Sequence, residues 1–396
     1  MKSGALSVRT FIIPREVVWG RGSVQSLEKT KGKKALIITD KNMAKVGAAE
    51  KVEHYLRNSG IETRVFDSVE PEFSIVTIPQ IVEQYRDYAP DAIIGLGGGS
   101  SIDAAKAFRI FYEQPNLTVQ DIFPAAGPPR KAVQPSTKTT FTAIPTTSGT
   151  GSEMSFVFVA SDPLDNAKRA VGSPFIVPDN AILDPDFTDS MPRSVQVDSG
   201  FDALSHAIPA YYSSFRNDFS KAYAIQSIRL AMQYLTAAAD GDKEAKEHMH
   251  YAASFAGTAF TNSGLGVEHY LGHLYGAKYH MPHGRSCGLA LTHAIRFNAS
   301  VAKQAIMEIS SAIGYSGQNA DQASDYLVKR ILDLKKKLGV PETLKEYGIA
   351  EDIFKAELPD MIADFNKNPM LPPLVSNPQK CTVENMEKLF NDSYYG

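Results

Sequence analysis

Four of the chain's nine histidines fall within GVEHYLGHLYGAKYHMPHG, residues 266–284: His269, His273, His280 and His283. Imidazole is both a proton-transfer group near neutral pH and the commonest side-chain metal ligand. His269 and His273 stand four apart, which places them on one face of a helix. Upstream, VDSGFDALSHAIPAYYS carries Asp202 and His206 at the same spacing. One such pair is more often a hydrogen bond on a helix surface than a ligand set. Two pairs, with His283 at a loop or helix start, point instead to a divalent ion such as Fe2+ or Zn2+. A carboxylate with imidazoles suits those ions and leaves positions open for water or substrate. His54, His248 and His250 lie outside the cluster, with KEHMH reading as solvated helix and His293 as a packing residue.

A second kind of chemistry is written in GLGGGSSIDAAKA, residues 95–107, which follows an apolar strand and opens a helix. Gly97, Gly98 and Gly99 let the backbone approach a phosphate, and Ser100 and the first helical N–H groups can donate to it. An empty strand–helix turn has a similar sequence. The place, at the carboxyl end of a strand where open α/β sheets bind ligands, favours a dinucleotide. The acid usual after the next strand is missing; Asp40, which ends ALIITD, precedes the loop instead. Its carboxylate can bind both ribose hydroxyls and repel a 2′-phosphate, favouring NAD over NADP, and it can also cap the following helix. IPTTSGTGSEMS, residues 144–155, adds hydroxyls suited to pyrophosphate, ribose or carboxamide, although a plain Ser/Thr loop reads the same way. Together the two features suggest Lewis-acid polarisation of an alcohol or carbonyl oxygen with hydride exchange at nicotinamide.

The elements that must position these groups differ between the two halves. Residues 1–185 alternate apolar runs (35–40, 63–69, 91–99, 140–147, 180–185) with helical spacing, which predicts a mostly parallel sheet in an α/β dinucleotide-binding domain. KNMAKVGAAEKVEHYLRNSG reads as a helix ending at Gly60. Residues 186–396 carry i, i+3, i+4 patterns and predict an all-α metal-binding domain, with Pro209 kinking or shortening its first helix. A net charge of −3 gives no case for nucleic acid or an anionic membrane. No apolar run is long enough to span a bilayer, and no signal peptide is expected. Two cysteines, Cys287 and Cys381, without a CxxC pair, fit a reducing cytoplasm rather than a disulfide scaffold.

These motifs, in this order, resemble the iron-containing (group III) alcohol dehydrogenases, from FIIPREVVWGRGSVQSL through GGGSSIDAAKA, IPTTSGTGSE and FDALSHAI to GLGVEHYLGHLYGAKYHMPHG. The resemblance implies a metal in a cleft between the two domains, held by Asp202, His206, His269 and His283. His273 would then contact substrate or nicotinamide without binding metal. It also implies dinucleotide contacts at Asp40, Gly97, Gly98, Gly99, Ser100, Thr146, Thr147, Thr150, Ser155 and Lys168, with Met191 lining the site. Without the resemblance, Lys168 would pass for an ordinary exposed lysine. The implied activity is NAD(H)-linked interconversion of small primary alcohols or diols and aldehydes in a homodimer or larger homo-oligomer.

Five positions depart from the family pattern. Glu72-Phe73 replaces the usual Asn-Pro, Pro209 the usual acid after HAI, and Glu268 the usual apolar residue before the third ligand; His280 has no family role. Phe156, Val157, Phe260 and Leu265, in or beside the motifs, suggest a pocket for small alkyl alcohols. Two other activities use related architecture. A zinc-dependent glycerol or polyol dehydrogenase would share the ligands, whereas a dehydroquinate-synthase-like lyase would need a basic pocket that the sequence around 202–283 lacks.

Overall fold

The computed structural model describes residues 10–123, 130–135, 138–163, 167–367 and 370–396. Its strands are β1 (Glu16–Trp19), β2 (Lys34–Ile38), β3 (Glu62–Phe66), β4 (Ala92–Gly97), β5 (Thr140–Pro145), β6 (Val157–Asp162), β7 (Ala167–Gly172) and β8 (Asn180–Leu183). Six of them form a parallel sheet in the order β1-β8-β5-β4-β2-β3. Successive side chains of β2 and β4 enter opposite layers. Leu36, Ile38 and Ile93 pack with Ile102 and Phe108, while Ala35, Ile37, Ile94 and Leu96 pack with Val52 and Leu56. Burial on both faces explains why these strands read as unbroken apolar runs.

Three strands escaped the sequence reading. β1 is only four residues long, and β6 and β7 pair antiparallel as a separate ribbon outside the main sheet. The predicted helix over 41–60 is two helices, Lys41–Lys45 and Ala48–Asn58, divided at Gly47 in the left-handed region (φ 79°). Gly60 does close the second (φ 78°).

Six helices build and support the site region, one on the sheet side and five on the helical side. They are α1 (Gly99–Glu113), α2 (Arg193–Tyr212), α3 (Asp218–Ala239), α4 (Lys243–Thr261), α5 (Val267–Tyr279) and α6 (His283–Asn298). No strand occurs among the described residues after Leu183. α2 runs through Pro209 and stops at Tyr212, where the Ser213 N–H donates to the Pro209 carbonyl. Helix α2 lies in the large apolar cluster with α3 and α4, through Phe201, Leu204 and Ile208 against Ile228, Leu235 and Met249.

A buried ionic network fastens the 144–155 loop to α1. The Lys106 ammonium, fully buried, donates to Ser152 Oγ (2.9 Å), Ser155 Oγ (3.0 Å) and the Val157 carbonyl (2.6 Å). Asp103 accepts from Ser152 Oγ and the Val159 N–H, 3.7 Å from the ammonium. Burial lowers Lys106 to about 8 and raises Asp103 and Glu153. Lys106→Met leaves two buried carboxyl groups without their cation. It is expected to lower unfolding stability by about 3–5 kcal/mol, read from denaturant midpoints at an unchanged slope.

Candidate active site

Helices α2, α5 and α6 aim one carboxylate and three imidazoles at a common point. His206, His269 and His283 place their Nε2 atoms 3.8, 3.9 and 3.5 Å from Asp202 Oδ1. Asp202 and His269 are buried, yet Asp202 Oδ1 and His269 Nε2 have no hydrogen-bond partner. Leaving such atoms unpaired is costly unless something else meets them. A divalent cation fits this donor set: a hard carboxylate oxygen with three imidazole lone pairs.

The imidazoles are held from behind. His206 Nδ1 lies 3.3 Å from the Gly149 carbonyl, which directs its other nitrogen forward, and its ring stacks between Phe260 (4.5 Å) and His269 (4.6 Å). His269 Nδ1 lies 3.1 Å from Glu268 Oε1. Burial first, then the neighbouring His206, lowers His269 to about 3, and burial with His269 and Lys168 lowers His273 equally. Neutral rings keep the lone pairs a cation needs. His273 stays out of the convergent set, its ring centroid 5.0 Å from that of His283 and 6.4 Å from that of His269.

The glycine loop is built at the carboxyl end of β4. β4 ends at Gly97, whose φ of +143° favours glycine, and a Cβ there would meet Ser101 Oγ at 2.5 Å and Asp40 Oδ2 at 3.3 Å. Cβ atoms on Gly98 and Gly99 would press on Thr147 (3.4 Å) and Thr150 (2.9 Å), so both predicted polar segments line one cradle. The Thr146 N–H donates to the Gly97 carbonyl, joining them across β4 and β5. Asp40 caps the helix Lys41–Lys45 through the N–H groups of Asn42 and Met43, leaving Oδ2 near Ser101 (3.4 Å). The Ser100 hydroxyl donates to the Pro71 carbonyl (2.6 Å), and Ser155 is engaged by Lys106. Met191 is buried with its sulfur 4.0 Å from Ser199 Oγ. Lys168, on β7, pairs with Glu72 at 3.0 Å, and its charge reaches His273 and His283.

The geometry has counterparts. Residues 14–185 match the model for iron-containing alcohol dehydrogenase, and residues 196–394 match the C-terminal model for the Fe-containing alcohol dehydrogenase family. The chain is 38% identical to an NADPH-dependent butanol dehydrogenase of Clostridium saccharobutylicum, across 98% of each protein. The chain belongs to the iron-containing alcohol dehydrogenase family. An alcohol dehydrogenase of Thermococcus barophilus is 32% identical over 97% of this chain and 99% of that protein. The structure of an iron-containing alcohol dehydrogenase from Thermococcus thioreducens superposes with a TM-score of 0.89 at 31% identity, covering 98% of this chain and all of that one. Against bifunctional aldehyde-alcohol dehydrogenase of Escherichia coli the identity is 32%, and the chain spans about half of that protein (46%). As a family member the chain is an alcohol dehydrogenase interconverting alcohols and aldehydes, and neither the polyol-dehydrogenase nor the lyase reading is favoured.

Within this alcohol dehydrogenase, several residues differ from their sequence reading. Glu72 is the partner of Lys168, and Phe73 is buried in the sheet's core layer. His280 is the exposed C-cap of α5 in the left-handed region (φ 51°), which ends that helix and turns the chain toward α6. KEHMH is only half solvated: His248 stacks on Tyr234, whereas His250, two residues on and so on the opposite helix face, is buried beside Ser148. His293 packs as expected, its Nε2 2.9 Å from the Glu342 carbonyl.

Two features were missed. Cys287 brings its sulfur within 3.7 Å of His283 Nδ1, and with Asp202, His269 and His283 it forms a cluster whose ligand atoms lie within 4.8 Å of one another. Its spacing, four residues after His283, is the same signal that found the other pairs. Burial and the nearby Asp202 raise its thiol well above the usual value, so it stays protonated. The buried Asp103–Lys106 pair, three apart inside the glycine-loop motif, was the second.

Burial lowers His250 to about 4. Below the ordinary imidazole value of about 6.5 the unfolded chain takes up a proton that the folded chain refuses. Stability is therefore full above that value and falls as pH drops toward 4. His250→Asn is expected to flatten this stretch of the stability–pH curve, measured by denaturant midpoints from pH 7 to 4.5.

Proposed function

We propose that Asp202, His206, His269 and His283 hold Fe2+, with Zn2+ as the competing occupant, and that the enzyme uses NAD(H) to interconvert small primary alcohols or diols with aldehydes. One observation carries this: three imidazoles aim Nε2 within 3.9 Å of a buried carboxylate oxygen that has no protein partner. A divalent ion held there supplies Lewis acidity to an alcohol or carbonyl oxygen. His273, outside the ligand set, would take the hydroxyl proton on a ring nitrogen. The part up to residue 185 would hold the dinucleotide, and the part from 186 would hold the metal.

Gly97, Gly98, Gly99 and the backbone of Ser100 would cradle the pyrophosphate, with Thr146, Thr147 and Thr150 opposite and Asp40 on the adenosine ribose. Ser155 acts through Lys106, Lys168 approaches the nicotinamide ribose, and Met191 closes the base of the cleft. The Phe260 ring against His206 supports a pocket for short alkyl chains, to which Phe156, Val157 and Leu265 add apolar surface. The butanol dehydrogenase relative is named for NADPH; Asp40, whose Oδ2 stays beside the glycine loop, supports NAD for this chain.

Assembly and location follow the same reading. The outer strand β1, at the sheet's edge among the described residues, carries Trp19, 69% exposed, which supports a homodimer or larger homo-oligomer. Both cysteines are free thiols, which suits the cytoplasm. No helix among the described residues is long and apolar enough to cross a membrane.

Anaerobically prepared protein given Fe2+ is expected to reduce NAD+ with simple primary alcohols, followed as NADH absorbance over an alcohol panel. Asp202→Ala is expected to lose both metal and activity; retention of both would refute the ligand set. Asp40→Asn keeps the helix-cap acceptor and removes the charge. It is expected to move the kcat/KM ratio of NADP+ to NAD+ upward by about tenfold, equivalent to ~1.4 kcal/mol.

A further inference from the structure

Two departures from the family pattern meet at one place. Glu268, on α5, is completely buried. Its Oε1 accepts from the Gly266 N–H (2.9 Å) and faces His269 Nδ1 (3.1 Å), while Oε2 is buried without a partner. A carboxylate so placed contributes little to stability, because one oxygen is left unsatisfied in an apolar setting. Pro209, on α2, occupies the same neighbourhood. A Cβ on Gly266 would fall on Glu268 Oε2 and lie 3.0 Å from Pro209 Cβ. Thus Gly266 leaves the space that the carboxylate fills, and Pro209 forms its far wall.

The ring of His269 has two nitrogens, and only one can serve as a ligand. A carboxylate against Nδ1 keeps the proton on that atom and leaves the Nε2 lone pair facing Asp202 Oδ1. A hydrogen-bond acceptor behind the ring also raises the basicity of a ligating imidazole. We propose that Glu268 is a positioning residue for the metal centre: it fixes the His269 tautomer and strengthens ion binding. In doing so it supplies from α5 the acidic group that the family pattern places on α2 at position 209. The proposal rests on the ligand set of the preceding subsection.

Metal-stripped protein titrated with Zn2+ against a chromophoric chelator tests this without reference to activity. Glu268→Val is expected to weaken binding by about 10–100-fold while the thermal midpoint of the metal-free protein stays level or rises. A merely structural glutamate would instead lower that midpoint. Glu268→Gln, whose amide oxygen still accepts from Nδ1, should keep most of the affinity, and Pro209→Glu combined with Glu268→Val should recover most of the loss. Gly266→Ala, which displaces the carboxylate without removing it, should weaken binding as Glu268→Val does, and it decides the matter if Glu268→Val fails to fold. Wild-type affinity in Glu268→Val, or in Gly266→Ala, overturns the role of Glu268 alone. Absence of Zn2+ binding by the wild type, or undiminished binding by Asp202→Ala, overturns the ligand set beneath it.

Discussion

The site depends on one electrostatic debt: a buried Asp202 oxygen surrounded by imidazole nitrogens, with no protein hydrogen bond to satisfy it. Such an arrangement is unfavourable by itself, since a carboxylate removed from water needs a cation or donors. The fold maintains it by over-determining each ligand. His206 is stacked between two rings and backed by the Gly149 carbonyl, and His269 is backed by Glu268. His283 starts helix α6 directly after the turn made by His280 and Pro282. Rigid neighbours on three helices thus hold the donors at a separation that one ion can bridge.

The same packing reaches the glycine loop through the 144–155 segment. Thr147 and Thr150 face the glycine loop, while Gly149 backs His206. Ser152 belongs to the Lys106–Asp103 network, and Glu153 accepts from Ser254 of α4. Gly151 and Gly257 approach so closely that a Cβ on Gly257 would lie 2.6 Å from the Gly151 carbonyl oxygen. One short segment therefore packs against both the glycine loop and His206. The Lys168–Glu72 pair ties the ribbon β6–β7 to the segment after β3.

Much of this was legible in residue order because the site's chemistry is carried by short-range spacing. Asp202 with His206 sits four apart on one helix, as does His269 with His273, and GLGGGSS follows a strand. What spacing could not show was which member of each pair points inward. His269 joins Asp202 and His273 does not, and that difference follows from how α5 packs on α2 and α6. His250 was misread because two residues of helix separate it from solvated His248, a half-turn that only packing reveals. The β6–β7 ribbon was missed because its strands are half-buried and lie outside the main sheet. Pro209 and Glu268 looked like unrelated departures in sequence, since they are far apart along the chain and meet only across Gly266.

The central claim is that this convergent set binds a single catalytic ion. Anomalous diffraction at the iron edge, from crystals loaded anaerobically with Fe2+, measures it directly. The account predicts one strong peak about 2 Å from Asp202 Oδ1 and from the Nε2 atoms of His206, His269 and His283, with His273 and the Cys287 sulfur beyond bonding distance. A peak coordinated by Cys287 or His273 in place of one of these, or density at another site alone, would contradict it.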